Sequence, residues 1–336
     1  MKKVLVLGAA GFLGSALEHR LKENGDCRVI SVARKPPLYR KSVADEYNIL
    51  DLENVAEFHS HFHRHHFDEV YQMAGYVGGL GYIGDSKNDV DILTKSFKIN
   101  LYTLEAIQKS GNCCDKVFFA SSQCVYPNRI EVDPYANERI APPYEPLPFS
   151  ETHASFNNFA FAKEKLYAES LYEAYGRQYG IDICIGRLGN TYGPYCEWKD
   201  PKAKAVAAIC RKVAEAPYGG VVKLWGDGSQ TRSFTYVDDV TEGIVRLMKS
   251  NYNKPVNIAS GETVSISGLF EAVCKEAGKI LAWEREDGPV GASHRGSDNS
   301  LVRHILGWEP TTSLADGLHK TWRWVAGQVL TRETAV

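Results

Sequence analysis

The segment from Phe161 to Lys165 has the spacing of an acid/base pair, but one partner is missing. Residues four apart lie on one face of a helix, so Phe161 and Lys165 would be neighbours if Phe-Ala-Lys-Glu-Lys is helical. With tyrosine first, the lysine ammonium would stabilise the phenolate and lower the pKa of the phenol. Phenylalanine keeps the ring but has no proton to transfer. The substitution therefore indicates a site whose proton transfer is impaired.

A glycine-rich turn near the N-terminus predicts phosphate binding. Gly8, Gly11 and Gly14 follow the apolar run Val4–Leu7, and a helical pattern then continues to Leu21. Glycines in such a strand–turn–helix let the backbone approach a pyrophosphate, which then lies at the positive end of the helix. The spacing is GxxGxxG rather than GxGxxG. We predict a dinucleotide-binding turn.

The end of the second predicted strand bears on which dinucleotide would bind. An acidic residue normally stands there and binds the adenosine ribose hydroxyls, but the chain has Ala33 followed by Arg34 and Lys35. Arg34 would suit the 2′-phosphate of NADP, or it is a solvated loop charge. Asp51 is a candidate partner for the adenine amino group. These local residues favour NADP.

A third cluster follows the apolar run Val117–Ala120. Ligands of parallel sheets bind beyond the carboxyl ends of the strands, so Ser122 is placed to hydrogen-bond a sugar hydroxyl. Cys124 lies two residues further on. Judged alone, such a thiol is more often a buried apolar group than a reactive one.

The elements that must position these residues alternate along the chain. Short apolar runs predict strands at Val4–Leu7, Val29–Val32, Glu69–Met73, Val117–Ala120 and Ile181–Ile185. Longer stretches predict helices at Val90–Gln108 and Phe161–Tyr179. This alternation predicts an α/β fold with a Rossmann-type, doubly wound parallel sheet. A proline-rich segment at 127–158 predicts a long surface loop.

The pattern loosens after Tyr195 and predicts a smaller C-terminal substrate domain. A helix is expected at Lys204–Ala214 and a strand at Val221–Trp225. We assign residues 1–190 to the dinucleotide-binding domain, with roughly 233–260 returning to it, and 191–330 to the substrate domain.

Composition excludes several other classes of protein. The 336 residues are 44% hydrophobic with a net charge of −2, which allows a large core and argues against nucleic-acid binding. No apolar stretch approaches a membrane span. Eight cysteines without a CxxC pair predict reduced thiols in a cytoplasmic protein. Five histidines between His59 and His66 indicate a solvated helix end, and we predict no metal site there.

Taken together, the motifs resemble extended short-chain dehydrogenases/reductases that act on nucleotide sugars. They are the glycine turn, Ser121-Ser-Gln-Cys-Val-Tyr-Pro127, the Phe161–Lys165 pair and Asn190-Thr-Tyr-Gly-Pro194. Further segments are most similar to the GDP-mannose 3,5-epimerases. They are Val77–Ile83, Glu197–Ala205, Trp225–Phe234, Pro255–Ile258, Ser297–Leu301 and Leu306–Pro310.

That resemblance implies a mechanism and the residues for it. In the family, bound nicotinamide oxidises C4 of the sugar, the ketone acidifies C3–H and C5–H, and a cysteine and a lysine on opposite ring faces move protons there. The implied catalytic positions are Ser122, Cys124, Phe161, Lys165 and Lys204. The implied substrate contacts are Gly79, Ser122, Asn190, Lys204, Arg232 and Arg295, with the arginines holding the diphosphate. The implied cofactor contacts are Gly8, Gly11, Phe12, Leu13, Gly14, Arg34, Asp51, Leu52, Ala74 and Lys165.

Two departures from the family leave alternatives open. Ala33 puts the family's preference for NAD in question. Phe161 is an engineered change that traps substrate, which we favour, or a natural variant that avoids this route, or the mark of a protein that only binds a GDP-sugar. A GDP-L-fucose synthase-like epimerase/reductase is the competing enzyme; it uses a histidine, absent here between Gly193 and Lys223. A homodimer is implied by the resemblance alone.

Overall fold

A computed structural model of the chain describes residues 1–63, 65–111, 114–126, 159–199 and 201–333. The predicted surface loop at 127–158 lies outside these residues. The strands are β1 (Lys2–Leu7), β2 (Cys27–Ala33), β3 (Glu46–Ile49), β4 (Phe67–Gln72), β5 (Cys114–Ser122), β6 (Asp182–Leu188), β7 (Asn190–Tyr192), β8 (Val221–Trp225), β9 (Thr231–Tyr236), β10 (Val256–Ile258), β11 (Thr263–Ser265), β12 (Ala282–Glu286) and β13 (His294–Arg295). The α-helices are α1 (Phe12–Glu23), α2 (Val55–His63), α3 (Leu80–Ile83), α4 (Asp89–Lys109), α5 (Phe159–Tyr179), α6 (Ala205–Glu215), α7 (Val237–Lys249), α8 (Ile266–Ala277), α9 (Ser300–Leu306) and α10 (Leu314–Glu333).

A parallel sheet forms the first layer of the fold. Within the described residues it has seven strands in the order β10-β6-β5-β4-β1-β2-β3, and every neighbouring pair is parallel. Most of these strands are continuous apolar runs, as expected for strands that are covered on both faces. The predicted doubly wound α/β fold is confirmed.

Helices cover both faces of this sheet and bury its side chains. On one face α2, α4 and α5 enclose a core that includes Phe58, Leu104 and Tyr172. On the other face α1, α7 and α9 pack over Leu17, Ile244 and Val302. Because the strands are parallel, their carboxyl ends lie at one edge of the sheet between the two helix layers. Ligands bind at this edge in such folds.

The later part of the chain builds a second layer of smaller sheets. Strand β9 pairs with β7, β11 and β13, while β8 pairs with β12. Helices α6, α8 and α10 pack around a separate apolar cluster with these strands. Helix α7 and strand β10, at 237–258, lie with the large sheet instead. The assignment of residues to two domains remains an interpretation.

Predicted and observed elements differ mainly at their ends. The strand predicted at Val221–Trp225 is β8 without change, while the one predicted at Val117–Ala120 extends in both directions to become β5. The helix predicted from Lys204 begins one residue later, and Lys204 is the extended residue that precedes α6. No helix among the described residues combines the length and the apolar character needed to cross a membrane.

Candidate active site

The glycine turn after β1 is too tight for side chains. Gly8 has a φ of +84°, and a Cβ there would lie 2.7 Å from Cα of Ala74. A Cβ at Gly14 would lie 2.3 Å from the carbonyl oxygen of Gly8. Gly11 precedes α1, whose first turn carries no acidic residue. This cradle and the positive end of the helix fit the pyrophosphate of a dinucleotide.

Arg34 follows β2 and is engaged by neighbours. Its Nη1 donates a hydrogen bond of 2.5 Å to the hydroxyl of Tyr76 and lies 3.6 Å from Oε1 of Glu53. Asp51 is exposed, and its carboxylate accepts the backbone N–H of Glu53 at 3.0 Å, while Leu52 is buried. Arg34 thus has both a hydroxyl and a carboxylate beside it. No sequence pattern pointed to Glu53 or Tyr76 as partners of Arg34.

A cleft of about 890 Å³ lies between the carboxyl edge of the large sheet and the smaller sheets. The structure brings most of the predicted substrate and catalytic residues to its wall. They are Gly79, Ser122, Cys124, Phe161, Asn190, Lys204, Arg232 and Arg295.

Arg295 contacts the thiol of Cys124 directly. Its Nη1 lies 3.1 Å from Sγ, although the two residues are far apart in sequence. Burial alone would raise the pKa of the Cys124 thiol, but the charge of Arg295 and hydrogen bonding by Ser122 and Arg295 outweigh it and hold that pKa below its usual value. Cys124 is thus a partly buried thiol with a guanidinium beside it.

Lys204 is held in the same cleft by a close backbone contact. Gly79 donates its N–H to the carbonyl oxygen of Lys202 at 2.8 Å, and a Cβ at Gly79 would lie only 1.9 Å from the carbonyl oxygen of Ala203. Burial lowers the pKa of the Lys204 ammonium, against the opposing effects of Cys124 and Cys196. A lysine so placed can give and take a proton more readily than one in water.

Among the described residues, Arg232 and Arg295 have no carboxylate partner. Burial and then the charge of Arg295 lower the pKa of Arg232 to about 10. Arg232 donates to the backbone carbonyls of Thr231 (2.7 Å) and Val290 (2.9 Å). Among the ion pairs of the described residues, none joins Arg232, Arg295 or Lys204 to a carboxylate. Basic groups without a carboxylate partner among the described residues, gathered in one cleft, fit a diphosphate.

Phe161 lies where the missing phenol would face the cleft. It is buried to 5% exposure among Tyr82, Ile83 and Ile92, with Cys124 packed against the same cluster. Nζ of Lys165 lies 5.8 Å from the centre of the Phe161 ring. The predicted one-turn spacing on α5 is thus confirmed, and no hydroxyl stands between Lys165 and the cleft at this position.

Lys165 has a buried carboxylate beside it. Glu164 lies 3.6 Å from Nζ of Lys165, and Asn100 of α4 donates to its other oxygen at 2.8 Å. Burial raises the pKa of Glu164 and outweighs the opposing effect of Lys165. The sequence pattern did not single out Glu164 or Asn100, because a residue inside a helix gives no sign of which partner it faces.

Ser122 and Asn190 shape the wall between these groups. The Ser122 hydroxyl accepts the backbone N–H of Cys124 at 3.1 Å. The Asn190 amide donates to the backbone carbonyl of Ser233 at 3.2 Å. Gln123 Nε2 donates to the Ser297 hydroxyl at 2.9 Å, which ties the Cys124 segment to the segment that follows Arg295. Within the described side chains, no group of three His, Cys, Asp or Glu is arranged to hold a metal ion.

A doubly wound sheet with a dinucleotide cradle and an adjoining anion-binding cleft defines a nicotinamide-dependent enzyme of the short-chain dehydrogenase/reductase type. The chain belongs to the NAD dependent epimerase/dehydratase family, whose profile matches residues 4–259. The family resemblance read from the motifs is confirmed.

Individual relatives match over almost the whole chain. GDP-mannose 3,5-epimerase 1 of Oryza sativa subsp. indica is 34% identical over 338 residues, which cover 99% of this chain and 84% of the relative. GDP-L-fucose synthase of Escherichia coli K12 is 26% identical and covers 96% of both chains. A solved UDP-glucose 4-epimerase of Thermotoga maritima with UDP-glucose has a TM-score of 0.80 at 24% identity, covering 99% of this chain and 100% of that one.

Proposed function

We propose that this protein is a nucleotide-sugar epimerase of the GDP-mannose 3,5-epimerase type. The observation that carries the proposal is that Cys124 and Lys204 line one cleft together with Arg232 and Arg295. The arginines suit the diphosphate of a GDP-sugar, and the thiol and the amine suit proton transfer at the sugar carbons. The 34% identity to a GDP-mannose 3,5-epimerase supports the same reaction. A manno-sugar with another C6 substituent would suit the same residues.

In this proposal the two acid/base groups act on opposite faces of a 4-keto sugar. The ketone acidifies the C–H bonds at C3 and C5. Cys124, whose pKa is held down, accepts a proton from one face as a thiolate. Lys204 returns a proton to the other face from its ammonium, whose pKa is lowered by burial. Inversion requires such an arrangement, because the proton leaves one side and arrives on the other.

A nicotinamide dinucleotide fits the glycine cradle described above. Gly8, Gly11 and Gly14 would hold the pyrophosphate, with Phe12 and Leu13 in the same turn and Ala74 against Gly8. Bound, it would supply the hydride acceptor and donor for C4 of the sugar. Lys165 would orient the ribose and the sugar beside it. We propose NAD rather than NADP, because Arg34 is engaged by Glu53.

Phe161 impairs this reaction in the chain as it stands. The C4 hydroxyl must lose a proton when C4 is oxidised, and the group placed to take it has no hydroxyl. Losing a general base typically costs about 10²–10⁴-fold in rate. We favour an engineered Tyr-to-Phe change, because Lys165 and the Phe161 ring keep the positions that a tyrosine would use.

The two-face mechanism is tested in the Phe161→Tyr background. Cys124→Ala and Lys204→Ala are each supplied with GDP-mannose in D₂O. Sugar C3 and C5 are followed by NMR and the nicotinamide by absorbance. Either loss should abolish inversion and spare C4 oxidation, so reduced nicotinamide appears while epimer formation falls by about 10²–10⁴-fold. Lys275→Ala, an exposed lysine in the last turn of α8, is the matched control and should epimerise normally.

Two results would contradict the assignment. Normal epimerisation by Cys124→Ala would make the thiol a packing group and place the base elsewhere. Failure of both variants to reduce nicotinamide would mean that Cys124 and Lys204 serve binding, and the proton-transfer roles would be wrong.

A GDP-L-fucose synthase-like epimerase/reductase is the second candidate. Relatives with that name are 26–29% identical to this chain. Against it, no histidine stands between Gly193 and Lys223 to act as the second acid/base of that reaction. A GDP-linked 4-keto-6-deoxy sugar supplied with NADPH separates the two: steady consumption of NADPH supports the reductase, and its absence supports the epimerase. A protein that only binds GDP-sugar would give no turnover even as Phe161→Tyr.

We also propose a cytoplasmic homodimer. Cys27, Cys124, Cys184, Cys196, Cys210 and Cys274 are free thiols, which suits a reducing compartment; a working Cys124 requires this. Helix α4 carries Val90, Leu93 and Phe97 on one exposed stripe, which suits a second copy of the same helix.

A further inference from the structure

Three residues meet above the carboxyl ends of neighbouring strands at the adenosine end of the cofactor cradle. Arg34 follows β2 and Tyr76 follows β4, so they flank β1 and its glycine turn from both sides. Glu53 follows β3, the next strand on the β2 side. The Tyr76 hydroxyl accepts from Arg34 at 2.5 Å and donates to Glu53 at 2.6 Å. Arg34, Tyr76 and Glu53 thus form a connected cluster where the adenosine ribose of a dinucleotide is read.

The charges of this cluster are balanced, unlike those of the sugar cleft. Arg34 lies 3.6 Å from Glu53, and Lys95, whose Nζ lies 5.3 Å from the Tyr76 ring centre, pairs with Asp91 at 2.9 Å. Each cation near Tyr76 therefore has its own carboxylate. The arginines of the sugar cleft have none within the described residues, as a site for a diphosphate requires. Arg34, the cation that could meet a further phosphate here, is therefore already beside a carboxylate.

We propose that Glu53 determines the cofactor specificity of this protein by selecting NAD against NADP. It supplies, from the turn after β3, the carboxylate that the end of β2 lacks. The inference deepens the proposed function and rests on its dinucleotide site, but not on its sugar chemistry.

The physical reason is electrostatic. A ribose 2′-hydroxyl can donate a hydrogen bond to a carboxylate, whereas a 2′-phosphate is repelled by one. Arg34 alone would attract the 2′-phosphate, but it would have to exchange Glu53 for the phosphate, and Glu53 would remain beside the new charge. Arg34 and Glu53 thus have opposite effects on NADP binding. With the Glu53 carboxylate present the site favours NAD, and without it Arg34 favours NADP.

Glu53→Gln is the direct test, because it removes the charge and keeps the shape and the hydrogen-bonding capacity toward Tyr76. The Kd values of NAD and NADP are measured by calorimetry on the full chain without sugar, at one ionic strength. The parent should bind NAD more tightly than NADP. In Glu53→Gln we expect NADP to bind about tenfold more tightly, the effect of roughly one charge-assisted hydrogen bond, and NAD to bind slightly more weakly. Glu57→Gln, the same change at an exposed position of α2, should leave both Kd values unaltered.

Arg34→Ala in both backgrounds separates the roles of the two residues. It should remove the gain of NADP affinity in Glu53→Gln and change the NAD affinity little. A parent that prefers NADP, an unchanged ratio of the two Kd values in Glu53→Gln, or an equal change in Glu57→Gln would overturn the inference. Circular dichroism melts confirm that each variant is folded. Since no sugar is present, a failed epimerase assay leaves this test intact, and a failed specificity test leaves the epimerase proposal intact.

Discussion

At the scale of single residues, the proposed mechanism makes position 161 limiting for the rate. We predict that Phe161→Tyr raises the rate of epimer formation from GDP-mannose by about 10²–10⁴-fold, because it restores the proton acceptor at the position that Lys165 supports. The ring already fits at 5% exposure, and Phe161 lines the cleft. Phe161→Leu, which adds no proton acceptor, should stay as slow as the parent. Rapid turnover by the parent would contradict the role given to position 161.

Arg295 sets the reactivity of Cys124 at the same scale. Because the guanidinium stabilises the thiolate, Arg295→Met should raise the pKa of the Cys124 thiol and slow its alkylation at neutral pH. A thiol with a lowered pKa is ionised at a lower pH. Losing the nearby positive charge therefore raises the pH at which the Cys124 thiol ionises. The pH dependence of iodoacetamide labelling at Cys124, read by mass spectrometry, measures it.

Arg303→Met serves as the matched control for that experiment, since Arg303 lies on α9 and pairs with Glu309 at 3.0 Å. Its labelling profile should coincide with that of the parent. If Arg295→Met also left the profile unchanged, the contact between Arg295 and Cys124 would have no influence on the thiol, and the base of the proposed reaction would need another source of activation.

At the scale of elements, the loop after β4 positions the residue that precedes α6. Gly79→Ala would place a Cβ 1.9 Å from the carbonyl oxygen of Ala203, so the Lys204 segment must move. We predict a loss of about 1–3 kcal/mol in the free energy of unfolding, as for overpacked sites, together with a fall in epimerase rate in the Phe161→Tyr background. Thermal melts and the epimer assay measure both.

Gly327→Ala makes the same chemical change on α10, where nothing lies within 4 Å of the added Cβ. It should be neutral or stabilising, since alanine favours a helix over glycine by about 1 kcal/mol. Equal behaviour of the two variants would show that the packing of Gly79 against Ala203 does not position Lys204.

At the scale of the whole molecule, the proposed dimer would use the exposed stripe of α4. If it joins two copies, Phe97→Glu places like charges near the symmetry axis and should convert the dimer to a monomer. Light scattering after size exclusion gives the mass. Ile280→Glu, also an exposed apolar residue, should not alter it. A parent that is monomeric at micromolar concentrations, or a Phe97→Glu variant that stays dimeric, would contradict this interface.

The sequence alone determined what depends on neighbours along the chain. The glycine turn, the strands of the large sheet and the Phe161–Lys165 spacing follow from local rules: glycine tolerates a positive φ, apolar runs form buried strands, and residues four apart share a helical face. The strand predicted at Val4–Leu7 lies within β1, and the helix predicted at Phe161–Tyr179 lies within α5. Alternation of these elements was sufficient to predict the parallel sheet.

Only the tertiary structure decided which distant residues meet. Four lysines lie between Lys199 and Lys212, and nothing local distinguishes Lys204 until its segment packs against Gly79. Arg295 reaches Cys124 across more than half the chain, and Glu53 reaches Arg34 from another strand. The pKa values of groups in a cleft depend on their distances in space and on their burial, because Coulomb interactions and desolvation do not depend on sequence order. The chemistry of this site is therefore a property of the folded chain.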